Sequence, residues 1–271
     1  MPLYAPQDIA GQCCLITGAS AGIGEACAWR FAEQKAKLIL MSRRLERLDK
    51  LKDELIAAFP DLPEVVTLAF DVQDITAIAD LPSKLPETHQ AVDILVNNAG
   101  LALGTEPADN NDMSSVMQML NTNVAAVIAF SRAFLPGMKS RGKGHLINIG
   151  SIAGHEAYAG GSVYCATKHA VDAFTTAARH DLMATPIRVT AISPGMVNTE
   201  FSTVRFGGDK SVADKVYQDI EPLVAADIAD NVIYAATRPK HVQIADMVVL
   251  ATNQAAAKSV ARVGATLGGP Q

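Results

Sequence analysis

The sequence is poor in charge and in aromatic side chains: 19% of its 271 residues are Asp, Glu, Lys or Arg, 5% are aromatic, and one is tryptophan. With 23 basic residues against 28 acidic ones the formal net charge is −5, so no basic surface is available to neutralise a run of phosphates. Nucleic acid is excluded as an expected partner. No CxxC pair occurs among the four cysteines, Cys13, Cys14, Cys27 and Cys165, which excludes the usual zinc and dithiol motifs. They read as buried thiols of a reducing compartment, with Cys165, next to the motif below, as a small packing residue against the alternative of a reactive thiol. Residues 1–12 lack any Lys or Arg ahead of a long apolar core, and no stretch approaches the roughly 20 uninterrupted apolar residues that cross a bilayer. A cytoplasmic protein without membrane contact is expected. Repeats, low-complexity tracts and Pro/Gly/Ser linkers are also missing, so residues 1–271 read as a single domain.

What is present is a 49% hydrophobic chain in which apolar runs of strand length alternate with longer amphipathic stretches. Residues 13–16, 37–41, 65–70, 93–96, 145–149, 188–192 and 247–250 read as strands. Helices are expected over 22–34, 44–59, 74–85, 111 to just before Pro136, 162–184 and 225–237. Nearly continuous apolar strands separated by helices predict a seven-stranded parallel sheet buried on both faces, the doubly wound α/β (Rossmann) fold. Residues 194–222 break the short-loop pattern and read as a substrate lid at the carboxyl edge of the sheet. The tail over 254–271 either packs at an interface or frays.

The first strand runs into Thr17-Gly18-Ala19-Ser20-Ala21-Gly22-Ile23-Gly24, which opens directly into a helix. Glycines at 18, 22 and 24 allow a tight turn and close approach to a pyrophosphate, whose charge is met by the helix N-terminus together with Ser20, Ala21 and Ile23. The second strand ends in Ser42-Arg43-Arg44, without the acidic residue that binds the ribose of NAD. Guanidinium and hydroxyl groups suit a 2′-phosphate, so the expected cofactor is NADP. Asp71 and Val72 follow the third strand, where they reach the adenine or cap the next helix. After the fourth strand, Asn97-Asn98-Ala99-Gly100 leaves room for the cofactor, and an asparagine side chain there can tie adjacent strands.

Tyr164 and Lys168 are four apart on one helix face, and an ammonium beside a phenol makes a usable general acid–base. Ser151 lies just past the fifth strand, placed to hold a substrate oxygen. Asn123 sits inside an expected helix, where asparagine is a poor helix former; a backbone carbonyl freed to bind water near Lys168 would explain it. His145, His155 and His169 show no ligand spacing, and no metal site is expected.

The glycine turn, Asn-Asn-Ala-Gly, Ser151, Tyr164-x-x-x-Lys168 and Pro194-Gly195-Met196-Val197-Asn198-Thr199 together resemble the short-chain dehydrogenase/reductase family, from about Gln12 to Leu250. The resemblance implies an oxidoreductase in which Tyr164 transfers the proton, Lys168 lowers its pKa and binds the nicotinamide ribose, Ser151 positions substrate and Asn123 completes a proton relay. It further implies nicotinamide contacts from Pro194, Gly195, Val197 and Thr199, and a homotetramer built through the fourth and fifth helices and the last strand. Residues 97–104, 157–161, 199–206 and 251–255 are similar to the NADP-dependent 3-hydroxy acid dehydrogenases of fungi and bacteria, which act on L-serine, L-allo-threonine and 3-hydroxyisobutyrate-like acids. A carboxylate substrate needs a cation, and Arg205 in the long loop is the candidate, against the alternative of a solvated loop arginine. Tyr158 either walls the pocket or packs. Two other readings stay open: a broad carbonyl reductase of ketones and aldehydes, and an NADP-sensing protein without turnover, which the intact set of four residues opposes.

Overall fold

In the computed structural model, which describes residues 6–262, every expected strand forms. They are β1 (Cys13–Thr17), β2 (Lys37–Ser42), β3 (Val65–Ala69), β4 (Val92–Asn97), β5 (Gly144–Ile149), β6 (Ile187–Pro194) and β7 (Asp246–Val249). All pair in parallel in one sheet ordered β3-β2-β1-β4-β5-β6-β7. The order reverses between β1 and β4, and the crevice at their carboxyl ends is where such a sheet binds a ligand.

Successive residues of each inner strand point to opposite faces, and both faces are dry. Cys14, Ile16, Leu38, Leu40 and Val96 join one core with Phe31 and Val232, while Cys13, Leu15, Ile39, Met41 and Leu95 join the other with Phe130 and Phe134. The helices that supply these partners are α1 (Gly22–Glu33), α2 (Leu45–Ala58) and α9 (Ala225–Ala236) on the first face. On the second they are α3 (Ile75–Lys84), α5 (Ala126–Arg141) and α6 (Ser162–Asp181). All four cysteines are free and buried, and burial raises the Cys13 and Cys27 thiols to about 12.

Three features differ from the sequence reading. The helix expected to stop before Pro136 instead runs from α4 (Met113–Leu120) through a π-helical turn (Asn121–Ala125) into α5, which contains Pro136. Pro136 and Arg132, whose carbonyl it cannot donate to, are both exposed, which leaves that group open to solvent, while Phe130, Phe134 and Met138 hold the helix to the sheet. The combined run Met113–Arg141 is long and apolar enough, by length and composition alone, to cross a membrane, with 33% of its most apolar window buried against the protein. Finally, the 194–222 segment carries two short helices, α7 (Glu200–Arg205) and α8 (Lys210–Val216), capped by Thr199 and Asp209. Residues 1–5 and 263–271, the latter being the second half of the tail discussed above, lie outside the described residues.

Candidate active site

The β1–α1 turn is built for close approach. A Cβ on Gly24 would lie 2.3 Å from the Gly18 carbonyl oxygen and 2.5 Å from Asn98 Nδ2, so only glycine lets α1 start against the strand ends. Asn98 Nδ2 donates to the Thr17 and Gly18 carbonyls at 2.9 and 3.2 Å, and Asn97 Nδ2 donates to Asn148 Oδ1 at 2.9 Å. Both asparagines therefore tie strands together, as their position suggests.

At the end of β2, Arg44 reaches across to the glycine turn: its Nε and Nη2 donate to Ser20 Oγ at 3.2 and 2.9 Å. Ser42 Oγ accepts the Arg44 amide at 3.1 Å. These groups converge on one hydroxyl-and-guanidinium cradle, while Arg43 is exposed. Sequence reasoning missed that Glu200 holds this cradle from the lid, accepting from Arg44 Nη1 at 3.0 Å and from Arg47 Nη1 at 2.8 Å. The two guanidinium hydrogen bonds depress the Glu200 pKa. An acid directly after Thr199 was the visible signal, but nothing local pairs it with residues more than 150 positions away. Asp71 is not the helix cap: Asp74 caps α3 through the Ala77 amide at 2.9 Å, and Asp71 accepts from the Gln73 amide at 3.0 Å.

The polar centre lies where β5, α6 and the π turn meet. Ser151 follows β5 with an extended backbone, and its hydroxyl oxygen accepts the Ala153 amide at 3.1 Å. Lys168 is 6% exposed, and its ammonium donates to the Ile149 carbonyl at 2.9 Å. Burial pulls it down to about 8. Burial also raises the Tyr164 phenol well above its ordinary range, against a lowering by the Ser151 hydrogen bond and the Arg205 charge. Lys168 Nζ stands 5.9 Å from the Tyr164 ring centroid, and Arg205 Cζ 5.8 Å. Two cations thus flank the phenol at nearly equal distances, Lys168 as the spacing suggested and Arg205 in addition.

Asn123 is 1% exposed within the π turn. Its Oδ1 accepts the Leu101 amide at 2.9 Å, and its Nδ2 donates to the Leu101 carbonyl at 2.8 Å and to Thr167 Oγ1 at 3.0 Å. Thr167 Oγ1 in turn donates to the Tyr164 carbonyl at 2.7 Å. A Cβ on Gly100 would lie 3.4 Å from Asn123 Oδ1 and 3.7 Å from Lys168 Nζ, so the missing side chain leaves the asparagine oxygen and the lysine ammonium beside the same small space.

One cavity of about 610 Å³ joins the glycine turn, the Arg44 cradle, Tyr164, Lys168 and the lid. Every residue singled out for the site lines it except Gly24 and Asn123, which stand behind its wall. Arg205 lines the far end, where Nε donates to the Gly104 carbonyl at 3.3 Å, Nη1 to Tyr158 Oη at 3.1 Å and Nη2 to the Gly160 carbonyl at 3.0 Å. Tyr158 does wall the cavity.

A family model described as short chain dehydrogenase matches residues 12–208. The chain belongs to the short-chain dehydrogenase family. It is 44% identical over 253 residues to the NADP-dependent 3-hydroxy acid dehydrogenase of Schizosaccharomyces pombe, covering 93% of this chain and 97% of that one. It is 43% identical over 242 residues to sulfoacetaldehyde reductase 2 of Chromohalobacter salexigens, covering 89% and 94%. Among solved structures, the closed form of a serine dehydrogenase complexed with NADP+ matches with a TM-score of 0.86 at 44% identity, over 91% of this chain and 97% of that chain. As a short-chain dehydrogenase the protein is an oxidoreductase acting on CH–OH donors.

His155, read above as having no ligand spacing, belongs to a polar cluster whose residues do not line the cavity. His155 Nε2 is 3.0 Å from Ser193 Oγ and 3.7 Å from Asp246 Oδ2. With Asp172 these groups offer ligand atoms within 4.8 Å of one another, at a largely exposed position. No charge or burial argument assigns it an ion.

Proposed function

We propose that the protein is an NADP-dependent oxidoreductase that interconverts a 3-hydroxy acid of the L-serine, L-allo-threonine and 3-hydroxyisobutyrate class with its 3-oxo product. The observation that carries this reading is a single cavity with a guanidinium–hydroxyl cradle at one end, a second arginine at the other and the Tyr164–Lys168–Ser151 group between them.

The cavity fits the cofactor. Ser20, Ser42 and Arg44 would hold the 2′-phosphate, the start of α1 the pyrophosphate, and Asp71 and Val72 the adenine. Asn98, Ala99, Gly100, Pro194, Gly195, Val197 and Thr199 would border the nicotinamide half, with Lys168 on its ribose. When bound, NADP supplies the hydride acceptor for oxidation and the donor for reduction. Ser151 holds the substrate oxygen, and Tyr164 takes the hydroxyl proton in oxidation or returns it in reduction. A phenol raised by burial holds its proton tightly; positive charge nearby, from Lys168 and Arg205, eases the proton off in either direction of the reaction. Lys168, with a pKa of about 8, remains mostly an ammonium at neutral pH. Behind it, Asn123 fixes the π turn through which a proton is relayed.

Arg205 keeps a further N–H on each terminal nitrogen beyond those spent on Tyr158 and Gly160, enough to grip a carboxylate. Both relatives compared above are named for small substrates with an anionic group, carboxylate in one and sulfonate in the other. Residues 194–222 act as the lid. A homotetramer assembled through the fourth and fifth expected helices, which are α4–α5 and α6 here, and through β7 is supported by the exposed side chains Met113, Met117, Leu120 and Ile128 on the first of these and Val248 on the edge strand. Four reduced, buried cysteines fit a cytoplasmic setting.

The test is the Michaelis constant for 3-hydroxyisobutyrate and for an uncharged ketone in wild type, Arg205→Lys and Arg205→Ala. A rise of about tenfold for the acid alone, milder in the lysine variant, is expected for loss of a charge-assisted contact. Efficient reduction of the ketone with no turnover of any hydroxy acid would replace this reading by that of a general carbonyl reductase.

A further inference from the structure

Beyond Arg205, a second cation faces the same end of the cavity. Residues 254–260 fold back on themselves: Gln254 bridges Val260 in antiparallel fashion, and the Ala255 amide donates to the Ser259 carbonyl at 2.9 Å. The turn is fixed to the body at two points. Gln254 Oε1 accepts the Met196 amide at 2.9 Å, and Glu156 Oε2 accepts the Ala257 amide at 2.8 Å. A Cβ on Gly195 would lie 2.1 Å from Gln254 Oε1, so the glycine is what lets this turn close over the site.

Lys258 sits in that turn and lines the cavity. Its Nζ lies 4.7 Å from the centroid of Tyr158, the ring whose hydroxyl also accepts from Arg205 and whose centroid is 5.8 Å from Arg205 Cζ. Among the described residues neither cation has a carboxylate within ion-pair distance. Burial and the Arg205 charge both lower the Lys258 pKa. Two like charges held by a shared ring raise each other's energy, and an anion between them relieves both. One carboxylate satisfies Arg205; the second charge remains.

We propose that Lys258 and Arg205 together form a two-cation face that selects 3-hydroxy acids carrying a second anionic group, with Lys258 as the residue that reads it. This rests on the 3-hydroxy acid reading above and narrows it. The order of preference is a hydroxy dicarboxylate over a hydroxy monocarboxylate.

The experiment compares 3-hydroxyglutarate with 3-hydroxyisobutyrate as substrates of wild type, Lys258→Met and Lys258→Arg. It is paired with calorimetric titration of the NADP+-loaded proteins with two unreactive probes, glutarate and butyrate. Wild type is expected to show a KM about tenfold lower for the dicarboxylate and tighter glutarate than butyrate binding. Lys258→Met removes both preferences while leaving the monocarboxylate KM within about twofold, and Lys258→Arg restores them. A methionine variant that shifts both acids equally would show that Lys258 only supports the turn, and a wild type that binds glutarate no better than butyrate would overturn the inference directly. If neither acid is oxidised but glutarate still binds preferentially through Lys258, the two-cation face stands and the reaction assigned above fails.

Discussion

Replacing Lys168 with methionine is predicted to stabilise the fold while removing activity. Lys168 is 6% exposed and its pKa is about 8 in place of an ordinary 10.5. The difference corresponds to roughly 3 kcal/mol against the charged form at pH 7. Methionine matches the stem in length and carries no charge, but it leaves the Ile149 carbonyl, now bonded at 2.9 Å, without its donor, a loss of about 1–2 kcal/mol. The net expectation is a gain of about 1–2 kcal/mol at pH 7, a rise in Tm of roughly 2–6 °C for a chain of this size. The sign with pH follows from the depressed folded-state value. Below pH 8 both states hold the proton and the burial penalty is complete; between about 8 and 10.5 the folded state has released it while the unfolded state has not, so wild type gains stability as pH rises. The advantage of the variant should therefore shrink over that window. Thermal unfolding of both proteins from pH 7 to 10 reads it, and a variant less stable than wild type at pH 7 would refute the claim that Lys168 is retained at a cost to the fold.

Arg44→Ala should lower kcat/KM for NADP by about 10- to 100-fold and leave NAD nearly unaffected, because charge-assisted bonds to a phosphate are worth about 1.5–3 kcal/mol; parallel kinetics with both cofactors check it. Gly24→Ala forces a methyl to 2.3 Å from the Gly18 carbonyl oxygen, and backbone must move to relieve it. A destabilisation of about 1–3 kcal/mol with weakened NADP binding is expected, read by denaturant unfolding and calorimetry.

The sheet was legible because its strands are buried on both faces: Leu38 to Met41 and Ile94 to Val96 are short uninterrupted apolar runs closed by turn residues, whereas the equally apolar Val124 to Phe130 lies inside a much longer run of helical length. The π turn was foreshadowed by Asn123, an awkward residue for a helix, although its side chain turned out to be fully engaged with Leu101 and Thr167. Pro136 misled because a proline on the exposed side of an amphipathic helix loses one bond to water rather than breaking the packing that holds the helix. The roles of Glu200 and Lys258 were not legible. Each acquires its meaning from partners about 100 to 150 residues away, Lys258 above Tyr158 and Glu200 between Arg44 and Arg47, and single charged residues in loops carry no local pattern.

The central claim is that Tyr164 moves the proton in an NADP-dependent oxidation of a 3-hydroxy acid. The most direct measurement is NADPH formation from L-serine, L-allo-threonine and 3-hydroxyisobutyrate by wild type and Tyr164→Phe, with NADP affinity measured on both. The account predicts turnover by wild type, a loss of about 10²–10⁴-fold or more in the variant, and unchanged cofactor affinity. Full turnover of these acids by Tyr164→Phe would contradict it.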